Sequence, residues 1–123
     1  MAPRILVVDD DAPVRRALGR LFRSAGYEVH LFASAEEFLA HEPPERPACL
    51  VLDMRMPGMG GLALQRAIVG TARVLPIVFI TGHADEELLQ TLSRRAVNVL
   101  YKPLDDVALL AAIDEALAQP ILR

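Results

Sequence analysis

The sequence is poor in several residue types, and each shortage excludes a class of protein. It has one cysteine and no tryptophan in 123 residues, and aromatic residues make up 5% of the chain. A single cysteine cannot form an intrachain disulfide, which excludes a disulfide-stabilised scaffold and indicates a reducing, cytoplasmic compartment. No apolar run is long enough to cross a membrane. Met1 to Arg4 lead directly into a short strand pattern, so we expect neither a signal peptide nor a membrane contact.

Positive charge is not concentrated in any block of the chain. The formal net charge is −3, and the 13 basic residues, of which Lys102 is the only lysine, are scattered. This pattern offers no basic surface for nucleic acid, so we expect no direct nucleic-acid binding by this chain. Hydrophobic residues make up 53% of the sequence, which suits one packed domain. We place that domain at residues 1–119, followed by a short tail at 120–123.

Short apolar runs alternate five times with segments of helical periodicity. The predicted strands are Ile5–Val8, Tyr27–Phe32, Cys49–Leu52, Ile77–Ile80 and Val97–Tyr101. The predicted helices begin near Asp11, Ser34, Gly61, Asp85 and Leu104. Such alternation indicates parallel strands joined by right-handed crossovers, with helices on both faces of the sheet. We therefore predict an α/β fold: a doubly wound (βα)5 flavodoxin-like three-layer sandwich with a parallel five-stranded sheet in the order 2-1-3-4-5.

The first two helices have the clearest start signals. Asp11 is a suitable N-cap for the first helix, with Pro13 in its first turn and Gly26 after its end. Ser34 and Glu37 form the pattern of a capping box at the start of the second helix. The apolar face of the first helix is marked at helical spacing by Val14, Ala17, Leu18, Leu21, Phe22 and Ala25.

Polar side chains follow three of the predicted strands directly. Asp9-Asp10-Asp11 follow the first strand, Asp53 follows the third, and Thr81 follows the fourth. Lys102 ends the fifth strand. Because the carboxyl ends of parallel strands share one edge of the sheet, and strands 1 and 3 flank the switch point, these groups should meet in one crevice.

Clustered carboxylates repel one another, so a cation is expected among them. A hard divalent ion such as Mg²⁺ prefers oxygen ligands and keeps a position for a phosphate oxygen. With the Lys102 ammonium and the Thr81 hydroxyl, the crevice has the parts needed for in-line phosphoryl transfer, and Asp53 is the candidate nucleophile. Taken singly, each residue has an ordinary explanation: Asp9-Asp10-Asp11 as a helix cap, Lys102 as a surface residue and Thr81 as a turn residue.

Four segments of the chain resemble the signatures of the receiver domain of two-component response regulators. They are Val7 to Asp11, Asp53 to Met59, Thr81 to His83 and Lys102-Pro103, in that order. The segments Phe32 to Leu39, Arg55 to Met59 and Ile80 to His83 are similar to the FixJ-like subfamily, whose members usually carry a LuxR-type helix-turn-helix output domain.

The resemblance implies a role for each residue of the crevice. Asp53 would accept phosphate from the phosphohistidine of a sensor histidine kinase. Mg²⁺ would bind Asp10, Asp53 and the Arg55 carbonyl, with Asp9 in support, while Thr81 and Lys102 would contact the phosphoryl oxygens. The family's signalling face further implies a homodimer through the fourth helix, the fifth strand and the fifth helix. Such a domain is not a conventional enzyme, since it catalyses only its own phosphotransfer and slow dephosphorylation.

Several residues depart from the family pattern, all near the fifth strand. Val99 stands where the family has an aromatic residue that moves inward on phosphorylation, and Leu104 where the subfamily usually has Phe. Arg94-Arg95-Ala96 replace the usual Ala-Gly-Ala turn. Two other functions therefore stay open. One is an interaction module that works without phosphorylation, and the other is a Mg²⁺-dependent phosphatase, although Arg55 stands where an acidic residue would be expected for that chemistry.

Overall fold

The core of the protein is a five-stranded parallel sheet. The computed structural model describes residues 3–41, 48–53, 60, 63–64, 67, 76–82 and 98–118. The strands are β1 Arg4–Val8, β2 Glu28–Phe32, β3 Ala48–Asp53, β4 Ile77–Thr81 and β5 Asn98–Tyr101. Their order is β2-β1-β3-β4-β5, and every neighbouring pair is parallel. The predicted fold class and strand order are confirmed.

Three helices are described in full, and two of them pack on the same face of the sheet. They are α1 Ala12–Ser24, α2 Ala35–Ala40 and α3 Asp106–Ala118. Buried side chains of α1 and α3 pack with one face of the sheet, while those of α2 and Leu64 pack with the other face. None of these helices is both long and apolar enough to cross a membrane. The sheet is therefore enclosed between two helical layers, as the crossover rule requires.

Helix α1 begins and ends as its sequence predicts. The Asp11 carboxylate accepts a hydrogen bond from the Val14 amide at 3.3 Å, and a proline lies in the first turn. At the other end, Gly26 has a φ of 95°, a left-handed conformation that favours glycine. Of the residues assigned to its apolar face, Ala17 and Ala25 are exposed. Ala17 lies beside Val14, Leu18 and Leu21 along an open groove, and Ala25 follows the last residue of the helix.

Local side-chain hydrogen bonds fix where the other two helices start. The Ser34 hydroxyl accepts from the Glu37 amide at 3.1 Å, as predicted, and the Glu37 carboxylate accepts from the Ala33 amide at 3.2 Å. Helix α3 begins at Asp106, two residues after the predicted start near Leu104. The Asp105 carboxylate accepts from the Val107 amide at 3.1 Å, which makes Asp105 the cap.

Strand β3 is the centre of the core. Every residue from Ala48 to Asp53 is buried, and the Cys49 thiol is fully enclosed. The buried residues on the α1 and α3 side are Ile5, Val7, Leu18, Phe22, Cys49, Val51, Val78, Ile80, Leu109, Ala112, Ile113 and Ala116. The edge strand β2 is more exposed than β1, β3 and β4, with only Phe32 buried. It was predicted to be more exposed than every other strand, and this is wrong, because Val99, Leu100 and Tyr101 of the other edge strand, β5, are half-buried or exposed.

Other predictions lie outside the described residues. Of the predicted third helix, Leu64 and residues 63 and 67 are helical, and the rest is not described. The whole predicted helix near 85–94, Arg55 and the Arg94-Arg95-Ala96 turn also lie outside the described residues. The proposed domain bounds, 1–119 with a tail at 120–123, stay a prediction.

Candidate functional site

The register of the sheet brings the polar strand ends together. Val8 on β1 pairs with Leu52 on β3, so the residues that follow each of them, Asp9 and Asp53, lie side by side. On the other flank of β3, Asp53 pairs with Ile80, the residue before Thr81. These groups share one edge of the sheet because every strand runs in the same direction.

Three carboxylates form the floor of the crevice. One oxygen from each of Asp9, Asp10 and Asp53 can be chosen so that all three lie within 4.8 Å of one another. Asp9 is 0% exposed and Asp53 is 5% exposed, whereas Asp10 is open to solvent. Unit charges 4.8 Å apart repel by about 3.5 kcal/mol at an effective dielectric of about 20, so the buried Asp9–Asp53 pair alone is costly.

Lys102 supplies positive charge to the same place. Its Nζ lies 3.6 Å from Asp9 Oδ2 and 3.7 Å from Asp53 Oδ2. Its backbone amide donates to the Thr81 carbonyl at 2.8 Å, which extends the ladder between β4 and β5 to the crevice. Thr81 is 2% exposed. This bond fixes the backbones of Lys102 and Thr81 relative to each other, while the position of the ammonium follows from its contacts with Asp9 and Asp53.

The donor set fits a divalent cation. Three carboxylates and one ammonium carry a formal charge of −2, which one dication would neutralise. Asp9 Oδ1 accepts from the Asp11 amide at 2.9 Å, but the buried Asp9 Oδ2 has no hydrogen-bond donor within the described part of the chain. The Lys102 ammonium, 3.6 Å away, is the cation beside this oxygen, so what still favours a dication is the remaining formal charge of −2. Oxygen ligands of this kind suit Mg²⁺.

A residue that the sequence analysis did not select also contacts this turn. Arg15, on the first turns of α1, donates from Nη1 to the Asp9 carbonyl at 2.8 Å. Its own amide donates to the Asp11 carbonyl at 2.9 Å. The spacing from Asp11 to Arg15 is one helical turn, so a basic residue four positions after the N-cap was the signal available in the sequence.

One of the departures from the family pattern, Val99, lies on β5, the strand that ends just before Lys102. Val99 is half-buried and packs against the core on the α2 side of the sheet. Tyr101, which precedes Lys102, is 46% exposed. Because neighbouring residues in an extended backbone point to opposite faces of the sheet, Tyr101 and Lys102 are expected on opposite faces.

Two groups with shifted pKa values lie away from the crevice. The Tyr27 hydroxyl donates to the Asp114 carboxylate of α3, and this bond, followed by burial, raises the pKa of Tyr27 from 10.0 to about 12. Burial raises the pKa of the Cys49 thiol from 9.0 to about 12. Both groups are therefore protonated at neutral pH, and Cys49 is a core residue rather than a nucleophile.

The fold and the crevice define a class of protein: doubly wound α/β domains with acidic side chains and one lysine at the carboxyl edge of the sheet. Residues 5–114 match the response regulator receiver domain, and the chain belongs to that family. The resemblance drawn from the sequence is confirmed. Domains of this family are the response-regulator components of two-component systems.

Relatives and solved structures agree with this assignment. The chain is 44% identical over 110 residues to nodulation protein W of Bradyrhizobium diazoefficiens, a match that covers 89% of this chain and 48% of that protein. It is 40% identical over 116 residues to the transcriptional regulatory protein FixJ of the same organism, covering 94% of this chain and 57% of that protein. The crystal structure of FixJ-N superposes with a TM-score of 0.87 at 31% identity, covering 100% of this chain and 99% of that one.

The chain spans about half the length of the curated relatives that it matches, 48% of nodulation protein W and 57% of FixJ. The name of FixJ describes a transcriptional regulator rather than an enzyme. The similarity therefore concerns the receiver domain, and it does not establish the function of a whole protein.

Proposed function

We propose that this domain is a phosphorylation-controlled switch that accepts phosphate on Asp53 and changes its partner interactions in response. The observation that carries the proposal is the position of the Lys102 ammonium, 3.6 Å from Asp9 and 3.7 Å from Asp53. An ammonium shared by two buried carboxylates beside a strand-end hydroxyl is suited to a phosphoryl group, whose charge is spread over its oxygens.

In the proposed step, a carboxylate oxygen of Asp53 forms a bond to phosphorus. The bond from phosphorus to the imidazole nitrogen of the kinase's phosphohistidine breaks, and that nitrogen keeps the electron pair. The product is an acyl phosphate. Lys102 and the Thr81 hydroxyl would contact the phosphoryl oxygens, so this chain's contribution is chiefly positioning and charge neutralisation.

Asp10, Asp53 and the backbone carbonyl of Arg55 would hold Mg²⁺, with Asp9 in support. The ion would supply positive charge that offsets the carboxylates and the incoming phosphoryl group. The exposed position of Asp10 at the rim suits this role, because a ligand there can reach an ion that keeps several waters. The formal charge of −2 at the crevice supports the choice of a dication.

The proposed partner is a sensor histidine kinase. An open groove of about 270 Å³ lies beside Lys102, between α1 and the segment that enters α3. The lining residues are Val14, Ala17, Leu18, Leu21, Lys102, Pro103, Leu104 and Asp106. A protein partner could bury this apolar surface while presenting its phosphohistidine to Asp53.

The proposal includes a cytoplasmic location, transcriptional control as the output, and a homodimer through the predicted fourth helix, β5 and α3.

Labelling with acetyl phosphate tests the acceptor. The wild-type domain with Mg²⁺ should form an acid-stable, base-labile phosphate adduct, and Asp53→Asn should form none. Asp106→Asn, which removes an exposed carboxylate at the start of α3, is the matched control and should be labelled normally. Equal labelling of Asp53→Asn and the wild type would refute the assignment.

The two other functions give different results in the same assays. A phosphatase would release phosphate steadily from small esters, which we do not expect because Arg55 occupies the position of the second acidic residue. An interaction module independent of phosphorylation would show no change in oligomeric state with beryllofluoride and no stabilisation by Mg²⁺. The packing of Val99 in place of an aromatic residue is the observation that favours this last function.

A further inference from the structure

The turn between β1 and α1 is held by a hydrogen bond from a long side chain. Arg15 Nη1 donates to the Asp9 carbonyl oxygen at 2.8 Å, while the Arg15 amide donates to the Asp11 carbonyl at 2.9 Å. Arg15 therefore bonds to the backbone carbonyls of the residues before and after Asp10, through its side chain and its amide respectively. Its side chain is half-buried, so the bond is partly protected from competition by water.

Asp10 depends on this turn more than its neighbours do. The Asp9 carboxylate has local restraints of its own, a hydrogen bond from the Asp11 amide and the nearby Lys102 ammonium. The Asp10 carboxylate is exposed, and no hydrogen bond to it occurs within the described ranges. Its position therefore follows from the backbone, and in particular from the orientation of the peptide unit that joins Asp9 to Asp10. The carbonyl that Arg15 holds belongs to that peptide unit.

The neighbouring residue provides a built-in comparison. Arg16 has the same charge and lies on the same turn of α1, but it is exposed, and in the described part of the chain it makes no hydrogen bond or ion pair. Removing Arg16 changes the net charge of α1 as much as removing Arg15 does. Loss of a positive charge beside the crevice would by itself strengthen binding of a cation, so weaker Mg²⁺ binding in the Arg15 variant alone reports the loss of the contact with Asp9.

We propose that Arg15 is a positioning residue for the cation site: by holding the Asp9 carbonyl, it fixes the direction in which Asp10 presents its carboxylate. This inference rests on the proposed function, because it concerns the Mg²⁺ affinity of the same crevice. Groups that hold a metal ligand in place typically change metal affinity 10-fold or more when they are removed. Arg15 would act through Asp10 and would not touch the ion.

Calorimetric titration of the whole chain with Mg²⁺ tests the inference. Arg15→Met keeps the aliphatic part of the side chain and removes the donor. We expect its dissociation constant for Mg²⁺ to rise about 10-fold, against less than about twofold for Arg16→Met. Thermal unfolding in EDTA measures any general loss of stability separately. If Arg15→Met does not fold, Arg15→Gln replaces it, because its amide ends short of the position of Nη1.

A second readout separates positioning from a structural role. With acetyl phosphate as donor, Arg15→Met should be labelled slowly at limiting Mg²⁺ and at the wild-type rate once Mg²⁺ is saturating. Equal Mg²⁺ affinities in Arg15→Met and Arg16→Met, or a rate defect that persists at saturating Mg²⁺, would overturn the inference. Absence of Mg²⁺ binding by the wild-type domain would instead overturn the proposed function, and the inference with it.

Discussion

Replacing Lys102 with Met should destabilise the metal-free domain strongly, although the two side chains are similar in length. The substitution removes the ammonium that lies 3.6 Å from Asp9 and 3.7 Å from Asp53. At an effective dielectric of about 20, each contact is worth about 4.5 kcal/mol before the costs of desolvation are considered. Without this ammonium, no charge at position 102 would offset the repulsion between the carboxylates of Asp9 and Asp53.

The net effect is smaller than the sum of the two contacts. The Lys102 side chain is 27% exposed, so water screens part of the attraction, and burying the ammonium has its own desolvation cost. Breaking a buried ion pair typically costs 3–5 kcal/mol, and we expect about 3 kcal/mol here. For a domain of this size, that corresponds to a decrease in Tm of about 10 °C.

Urea and thermal unfolding in EDTA and in excess Mg²⁺ provide the assay. Mg²⁺ should stabilise Lys102→Met more than it stabilises the wild type, because the ion then supplies the charge that the lysine no longer does. Arg20→Met, at an exposed position of α1, is the control for loss of one positive charge and should change little in either condition. A metal-free Lys102→Met variant as stable as the wild type would refute the electrostatic reasoning.

Two further predictions concern groups outside the crevice. Tyr27→Phe removes the hydrogen bond to Asp114 and should lower the unfolding free energy by about 1 kcal/mol. Because folding raises the pKa of Tyr27 from 10.0 to about 12, its contribution is complete below pH 10 and is lost as the pH rises toward 12. Urea titrations from pH 10 to 12 should therefore show a smaller decrease in the unfolding free energy for Tyr27→Phe than for the wild type. Parallel curves of unfolding free energy against pH would contradict this. Cys49, 0% exposed and with a pKa raised to about 12 by burial, should react with a thiol reagent only on unfolding, so fast labelling of the native domain at pH 8 would be evidence against the buried position.

The fold could be predicted from sequence because its main signals are local. The apolar run that ends at Asp53 becomes β3, the most buried strand, and its abrupt polar end places a carboxylate at the edge of the sheet. Alternation of strands and helices then limits the topology to a few arrangements, of which the doubly wound one occurs. The proximity of Asp9 and Asp53 follows from that strand order alone.

What the sequence did not reveal depends on how elements are rotated and packed. The contact from Arg15 to Asp9 requires α1 to present that side chain toward the end of β1, and periodicity alone does not fix this rotation. Ala17 has the spacing of an inward residue but is exposed, since a methyl group at the margin of a stripe gains little from burial. The start of α3 at Asp106 is decided by the Asp105 cap rather than by the apolar pattern.

The backbone bond from Lys102 to the Thr81 carbonyl, together with the exposed Tyr101 beside it, makes this strand end convenient for optical work. Since these 123 residues contain no tryptophan, a Tyr101→Trp variant of this domain would carry a single indole, one residue before Lys102. Its fluorescence could be excited selectively and recorded in real time. The indole would then report changes at the exposed end of β5 without an attached dye.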